Sequence, residues 1–256
     1  MSVFTFPMFP FVFKMINDRF MPPKTGTRKM VQDKYYFVKN HVRIGRLADT
    51  WEFSDVAFPL SDIDDALLED LKTKAPSNIE IEDDLLIIKH MYIENKMTPL
   101  NIYLESATEE QQCHIINDYG LAIDELINSN IFPGDMLTKN FGVTRQNRVV
   151  FYDYDEITLM SKPNFRKIPE AKTHEQEMAS EPWYYVGDDD VFPEEFRYFM
   201  FPSPSMKAIF NQNYSKLLDA DYWTSIQERI DQEGVMDYYP YGQEKRMCNI
   251  YGEKNG

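Results

Sequence analysis

Apolar and polar positions divide this chain into short strands and amphipathic helices. At the front, Val3 to Phe6 and Phe11 to Ile16 are apolar runs separated by the Pro7–Pro10 turn, which predicts a strand pair over residues 1–20. Pro22 to Gly26 breaks the chain. Val31, Tyr35, Val38 and Val42 then recur at the helical period and predict a helix from about Arg28 to Leu47. Ser61 to Asp65 reads as an N-cap with an acidic first turn, Leu67, Leu68 and Leu71 lie on one face with Ile63, and Pro76 falls beyond the end. Leu85 to Ile88 and Met91 to Ile93 predict a strand leading into the polar connection Glu94–Pro99. Thr108 to Gln111 is a capping-box pattern opening a helix to about Asn128, with Ile116, Tyr119, Ile123 and Leu126 inward. Beyond a loop at 130–140, the turn Thr144–Arg148 and the apolar run from Val149 to Tyr152 predict a hairpin. Residues 161–181 are polar with Pro163 and Pro169 and suit an ordered loop, and Asp188 to Asp190 a solvated turn. Helices are expected at about 205–218 and 222–231, before an aromatic, then polar tail at 238–256.

A chain of 256 residues with 43% hydrophobic and 14% aromatic content has core enough for one large domain, or for two lobes sharing a cleft. The boundary is expected near residue 95, giving lobes of 1–95 and 96–256. No apolar run approaches the roughly 18 residues of a membrane span, and the apolar opening lacks the basic flank of a signal peptide. The formal net charge of −15 disfavours nucleic acid and anionic membranes as partners, and requires any nucleotide site to be locally cationic and to use a metal. Cys113 and Cys248 have no metal-ligand spacing and are expected to be buried or inert in a reducing cytoplasm. The four histidines are scattered and read as packing or surface residues.

Candidate chemistry concentrates between Asn130 and Glu156. Asp135 is followed by Asn140, and after the hairpin come Asp153 and Asp155. An acid that accepts a proton, an amide that binds metal, and a carboxylate at a strand end that binds the metal bridging the phosphates are the parts of phosphoryl transfer from a nucleotide. The D-x-x-x-x-N spacing matches that of protein kinases, whereas D-Y-D replaces D-F-G and Gly134 replaces the usual Arg. Lys14, alone in an apolar strand, needs a partner; such a lysine holds phosphates in kinases or snorkels from a sheet edge. The helix that follows has no Glu to pair with it, Gln32 and Asp33 being the nearest substitutes. Asp49, expected directly after that helix with Glu52, could neutralise Lys14, hold metal, serve catalysis or cap its own loop. If the connection after the strand at 85–93 is a hinge, adenine meets backbone near Tyr92 to Asn95, Glu94 included.

The segments FVFKMINDRFMPPK, HVRIGRLADTWEF, MTPLNIYLE, NIFPGDMLTKNFGVTRQNRVVFYDYDEI, ASEPWY and DVFPEEFR resemble, in register over nearly the whole chain, the bacterial isocitrate dehydrogenase kinase/phosphatase family. The resemblance implies an α+β, bilobal protein-kinase-like fold, with an incomplete, small β-rich N-lobe and a mainly helical C-lobe. It further implies a cytoplasmic enzyme that uses ATP with Mg²⁺, or Mn²⁺ in its place, to phosphorylate a serine of isocitrate dehydrogenase. The same cleft removes the phosphate, steering carbon between the citric acid cycle and the glyoxylate bypass. On this resemblance Lys14 holds ATP phosphates and Lys139 adds a phosphate contact. Asp135 is the kinase base, Asn140 and Asp153 are the metal ligands, Asp155 serves the phosphatase direction, and Asp49 falls at a proposed active-site aspartate. A homodimer is among the assemblies considered.

The family's helical regulatory domain and glycine-rich phosphate loop would lie before Met1, so the chain is expected to be the C-terminal part of a longer protein, with AMP regulation absent. Two other readings use the same residues. Small-molecule kinases of the aminoglycoside or choline type also carry G-D-x-x-x-x-N and D-x-[DE], and an inactive module could bind isocitrate dehydrogenase without turnover.

Overall fold

The computed structural model describes residues 1–20, 26–41, 44–179 and 182–235. The break at Pro22–Gly26 falls largely outside these residues; Glu181 and the tail at 238–256 lie wholly outside. The fold is mixed α+β and divides into two compact units. One takes residues 1–41 and 47–98; the other takes the described residues of 42–46 and 99–256.

The first unit is built on an antiparallel sheet. Its elements are β1 (Ser2–Phe4), β2 (Phe11–Met15), α1 (Arg28–His41), β3 (Thr50–Pro59), α2 (Asp65–Lys74), β4 (Ile79–Glu82) and β5 (Leu85–Asn95). The strand order is β1-β2-β5-β3, with β4 also paired to β5. Apolar residues from several strands and α2 make one core: Phe13, Met15, Ile63, Leu71, Leu86, Ile88 and Met91 are all buried there. Asp64 caps α2, accepting from the backbone N–H groups of Ala66 and Leu67, a contact worth about 1 kcal/mol.

Two expectations are corrected here. α1 ends at His41, not Leu47. The residues after Asp49, where no strand was predicted, form the ten-residue strand β3, most of it exposed. β3 lies at one end of the strand order and carries Glu52 and Asp55, and charge on an edge strand masks strand character in sequence while discouraging edge-to-edge pairing.

After the two-residue strand β6 (Thr98–Pro99), the second unit runs through α3 (Leu100–Ser106), α4 (Glu109–Asn128), β7 (Ile131–Phe132), β8 (Phe141–Val143), β9 (Val149–Phe151), β10 (Thr158–Leu159), β11 (Asn164–Phe165), α5 (His174–Glu177), β12 (Asp190–Val191), α6 (Phe196–Phe199), α7 (Pro204–Tyr214) and α8 (Ala220–Glu233). α4 is its axis. The expected capping box is present: Thr108 Oγ1 accepts from Gln111 N–H, and the Gln111 side chain accepts from Thr108 N–H. Ile115, Ile116, Tyr119, Ala122, Ile123, Leu126 and Ile127 are fully buried along it. At Gly120 α7 comes so close that a Cβ would meet the Tyr214 ring at 2.3 Å.

Two surface expectations also change. Cys113 is exposed, because its position on α4 faces away from the buried stripe; Cys248 lies outside the described residues. Asp188 and Asp189 are exposed turn residues as expected, whereas Asp190 opens β12 and is half-buried. Its carboxylate accepts from Gly187 N–H, Arg166 and Asn164, which together hold it below the usual aspartate range.

Candidate functional site

In the second unit the loop between β7 and β8 is fixed from three sides. Asp135 Oδ1 accepts from Leu137 N–H at 2.9 Å and from Asn140 Nδ2 at 2.7 Å. Both of these bonds fall on Oδ1. An ionised carboxylate can only accept, so the Asn140 amide must turn its nitrogen toward Asp135 and its oxygen elsewhere. The Asn140 side chain is buried, which preserves that orientation. From below, the Tyr119 hydroxyl on α4 donates to Met136 C=O at 2.6 Å. Burial first, and then the Asp135 charge, push that phenol well above its ordinary pKa, so it stays a donor.

The third side is the acidic segment. Gly134 has φ +95, a conformation L-residues rarely adopt, and a Cβ there would meet Glu156 Cβ at 2.5 Å. This explains the Gly before Asp135: the loop lies directly on the chain that follows Asp155. The hairpin forms as expected, with Phe141 opposite Phe151 and Val143 opposite Val149. Tyr152 N–H donates to Asn140 C=O at 3.1 Å, and the Tyr152 hydroxyl donates to Lys139 C=O. Asp153 therefore follows a residue tied at both ends to the Asp135–Asn140 loop. Asp153 is half-buried, while Asp155 and the Lys139 side chain are exposed. Asp155 N–H reaches Asp153 Oδ1 at 3.4 Å.

These donors fit a magnesium ion. The Asn140 carboxamide oxygen and the Asp153 carboxylate are hard oxygen ligands, and Mg²⁺ characteristically takes one or two such groups and fills its octahedron with phosphate and water. Among the described residues no group of three or more His, Cys, Asp or Glu is gathered as a protein-only metal cage.

In the first unit, Lys14 Nζ forms an ion pair with Glu94 Oε2 at 2.7 Å, with both side chains almost wholly buried. Thr50 Oγ1 donates to Glu94 Oε1 at 3.2 Å. The register explains the pair: Lys14 lies opposite Tyr92, and Glu94 is two residues on, on the same face of β5. The partner missing from the helix is thus supplied by the neighbouring strand. Asp49 is exposed, just before β3.

Tyr92 and Glu94, expected to meet adenine through their backbone, lie inside the sheet of the first unit. Here β5 is flanked by β2 on one side and β3 on the other, so those residues' peptide groups face neighbouring strands. Their side chains are also engaged: Tyr92 stacks on Tyr35 with ring centroids 3.8 Å apart, and Glu94 pairs with Lys14. Burial, then the nearby Glu52 charge, raises the Tyr92 phenol above its usual range.

Arg46 is a functional-site neighbour that no local motif marks. Its guanidinium is 1% exposed, grips Asp118 of α4 through two nitrogens at 2.8 and 2.9 Å, and also pairs with Glu125. It reaches the hairpin as well, donating to Val149 C=O at 3.0 Å. Burial alone would lower its pKa; the hydrogen bonds and charges of Asp118 and Glu125 more than offset this and raise it. The available signal was one arginine in an otherwise apolar Ile44–Ala48 run.

Comparison with known proteins identifies the class first. A family model described as the isocitrate dehydrogenase kinase/phosphatase (AceK) kinase domain matches residues 1–243. Isocitrate dehydrogenase kinase/phosphatase of Aromatoleum aromaticum is 52% identical over 256 residues, covering 100% of this chain and 43% of that protein. That of Methylibium petroleiphilum is 50% identical over 252 residues, covering 98% and 41%. A crystal structure of WbdD aligns over 89% of this chain and 47% of its own at 11% identity, with a TM-score of 0.36, too low to bear on the fold. The chain belongs to the isocitrate dehydrogenase kinase/phosphatase family, in its kinase domain. It spans about two-fifths of the length of the curated relatives it matches.

Proposed function

We propose that this chain carries the catalytic machinery of an ATP- and Mg²⁺-dependent protein-serine phosphotransferase of bilobal, protein-kinase-like fold. Its first unit corresponds to a β-rich N-lobe and its second to a helical C-lobe. The acceptor is a serine of isocitrate dehydrogenase, and the same residues run the dephosphorylation that reverses the switch on glyoxylate-bypass flux. What supports this most directly is the locked pair Asp135–Asn140, tied through Asn140 C=O to the residue before Asp153.

In this reading Asp135 Oδ2 orients the serine hydroxyl and accepts its proton, a contribution of roughly 10²–10⁴ in rate. Asn140 and Asp153 would hold Mg²⁺, which would supply charge neutralisation for the nucleotide phosphates. Lys14, kept oriented by Glu94, contacts the nucleotide phosphates, and Lys139 adds a cationic contact. Asp155 positions water for hydrolysis, with Asp49 as a further candidate acid. Replacing Asp135 by Ala is expected to abolish transfer from labelled ATP to isocitrate dehydrogenase while leaving ADP affinity within about twofold. Unchanged turnover would remove Asp135 as the base.

A further inference from the structure

We propose that Arg46 is a positioning residue for the metal-binding acid, holding β9 at a fixed height on α4 so that Asp153 is delivered beside Asn140. The inference deepens the proposed function and rests on its assignment of Asp153 as a metal ligand.

The geometry is a closed set of bonds around β9. Arg46 C=O accepts from Phe151 N–H at 2.8 Å, and its guanidinium donates to Val149 C=O at 3.0 Å. Asp118 Oδ2, held by that guanidinium, accepts from Val149 N–H at 2.6 Å. Arg46 thus restrains β9 at its first and last residues, from its own backbone, its side chain and the carboxylate it orients. Asp153 lies two residues beyond Phe151, about 7 Å along an extended chain, so a tilt of β9 is carried to the carboxylate with little damping. The guanidinium is planar and rigid, and its fork meets Asp118 through two parallel bonds while a third nitrogen engages Glu125. A lysine would bring the same charge as a single point and could not hold Asp118 and Val149 C=O in one fixed geometry. Burying so large a charged group is costly unless it is fully paired, and its pairing to α4 together with the hairpin is what a spacer between them requires.

The test is titration of the 256-residue chain with Mn²⁺ in the presence of ADP, read by electron paramagnetic resonance of free Mn²⁺, on the wild type, Asp153→Asn, Arg46→Lys and Asp118→Asn. Each variant is paired with thermal melting and with amide exchange at Val149 and Phe151. The expected result is loss of Mn²⁺ binding in Asp153→Asn, and a dissociation constant raised about tenfold in Arg46→Lys and Asp118→Asn, with faster exchange at Val149 in folded protein. A purely structural role would lower the melting temperature and leave the affinity of the folded fraction unchanged. Wild-type affinity in Arg46→Lys and Asp118→Asn, with Asp153→Asn impaired, overturns the role of Arg46 alone. No Mn²⁺ binding by the wild type, or wild-type binding by Asp153→Asn, overturns the metal site on which it rests. If Arg46→Lys does not fold, Asp118→Asn decides, since it keeps the arginine and alters the carboxylate that joins its fork to Val149 N–H.

Discussion

The buried pair Lys14–Glu94 gives the sharpest energetic expectation. The Nζ–Oε2 distance is 2.7 Å and the two side chains are 10% and 2% exposed, so water screens neither charge. Removing one member of such a pair leaves an uncompensated buried charge, at a cost of about 3–5 kcal/mol, whereas replacing both by apolar side chains of similar volume is often close to neutral. Glu94→Leu removes the carboxylate paired to the buried Lys14 ammonium and is placed at about 4 kcal/mol. Lys14→Met leaves a carboxylate that still accepts from the Thr50 hydroxyl, and is placed nearer 3 kcal/mol. The double variant should be no less stable than the milder single, which leaves a coupling energy of at least about 4 kcal/mol between the two side chains. The measurement is a double-mutant cycle by urea unfolding at neutral pH. Tryptophan fluorescence separates the units: Trp51 reports on the first, Trp183 and Trp223 on the second. Additivity of the two single changes to within about 0.5 kcal/mol would refute the argument, because it would mean that Lys14 and Glu94 are stabilised independently.

Two further outcomes follow from the second unit. Gly134→Ala forces an L-residue to φ +95 and places a Cβ 2.5 Å from Glu156 Cβ, so it should cost about 2–4 kcal/mol and shift the Asp135 loop; a loss under 1 kcal/mol by urea titration would contradict that packing. Asp190 has its pKa held down by the Gly187 backbone bond and by Arg166 and Asn164. Its contribution is therefore present above the ordinary aspartate value of 3.8 and lost as pH falls through the lower folded value. Gly187 amide protection should persist at about pH 5 and disappear well below pH 4, and Asp190→Asn should flatten that dependence. Protection that already fades at pH 5 would count against it.

Much of the site was legible because its signals are local. The D-x-x-x-x-N spacing, the turn and the apolar β9 together predict a loop and hairpin that bring Asp135, Asn140 and Asp153 into one neighbourhood, and Gly134 marks a backbone that only glycine takes easily. Neither Glu94 nor Arg46 announces itself this way. Glu94 sits at the end of a hydrophobic run where a strand exit reads as a hinge, and its partner is 80 residues away in sequence. The backbone of Tyr92 and Glu94 looked available because a sequence does not show that β5 is flanked by β2 and β3 there.

By itself the sequence determined the elements whose stability is written within a few residues: the capped α4, the β8–β9 hairpin, the apolar strands around Lys14, and the family to which they belong. Only the tertiary structure decided which charges meet. Strand order put Glu94 beside Lys14, and the packing of β9 on α4 turned Arg46, Asp118 and Glu125 into one buried network. The physical reason is range. Caps, turns and periodicity act over one or two turns of chain, whereas a buried charge takes whichever partner the packed core brings within about 3 Å.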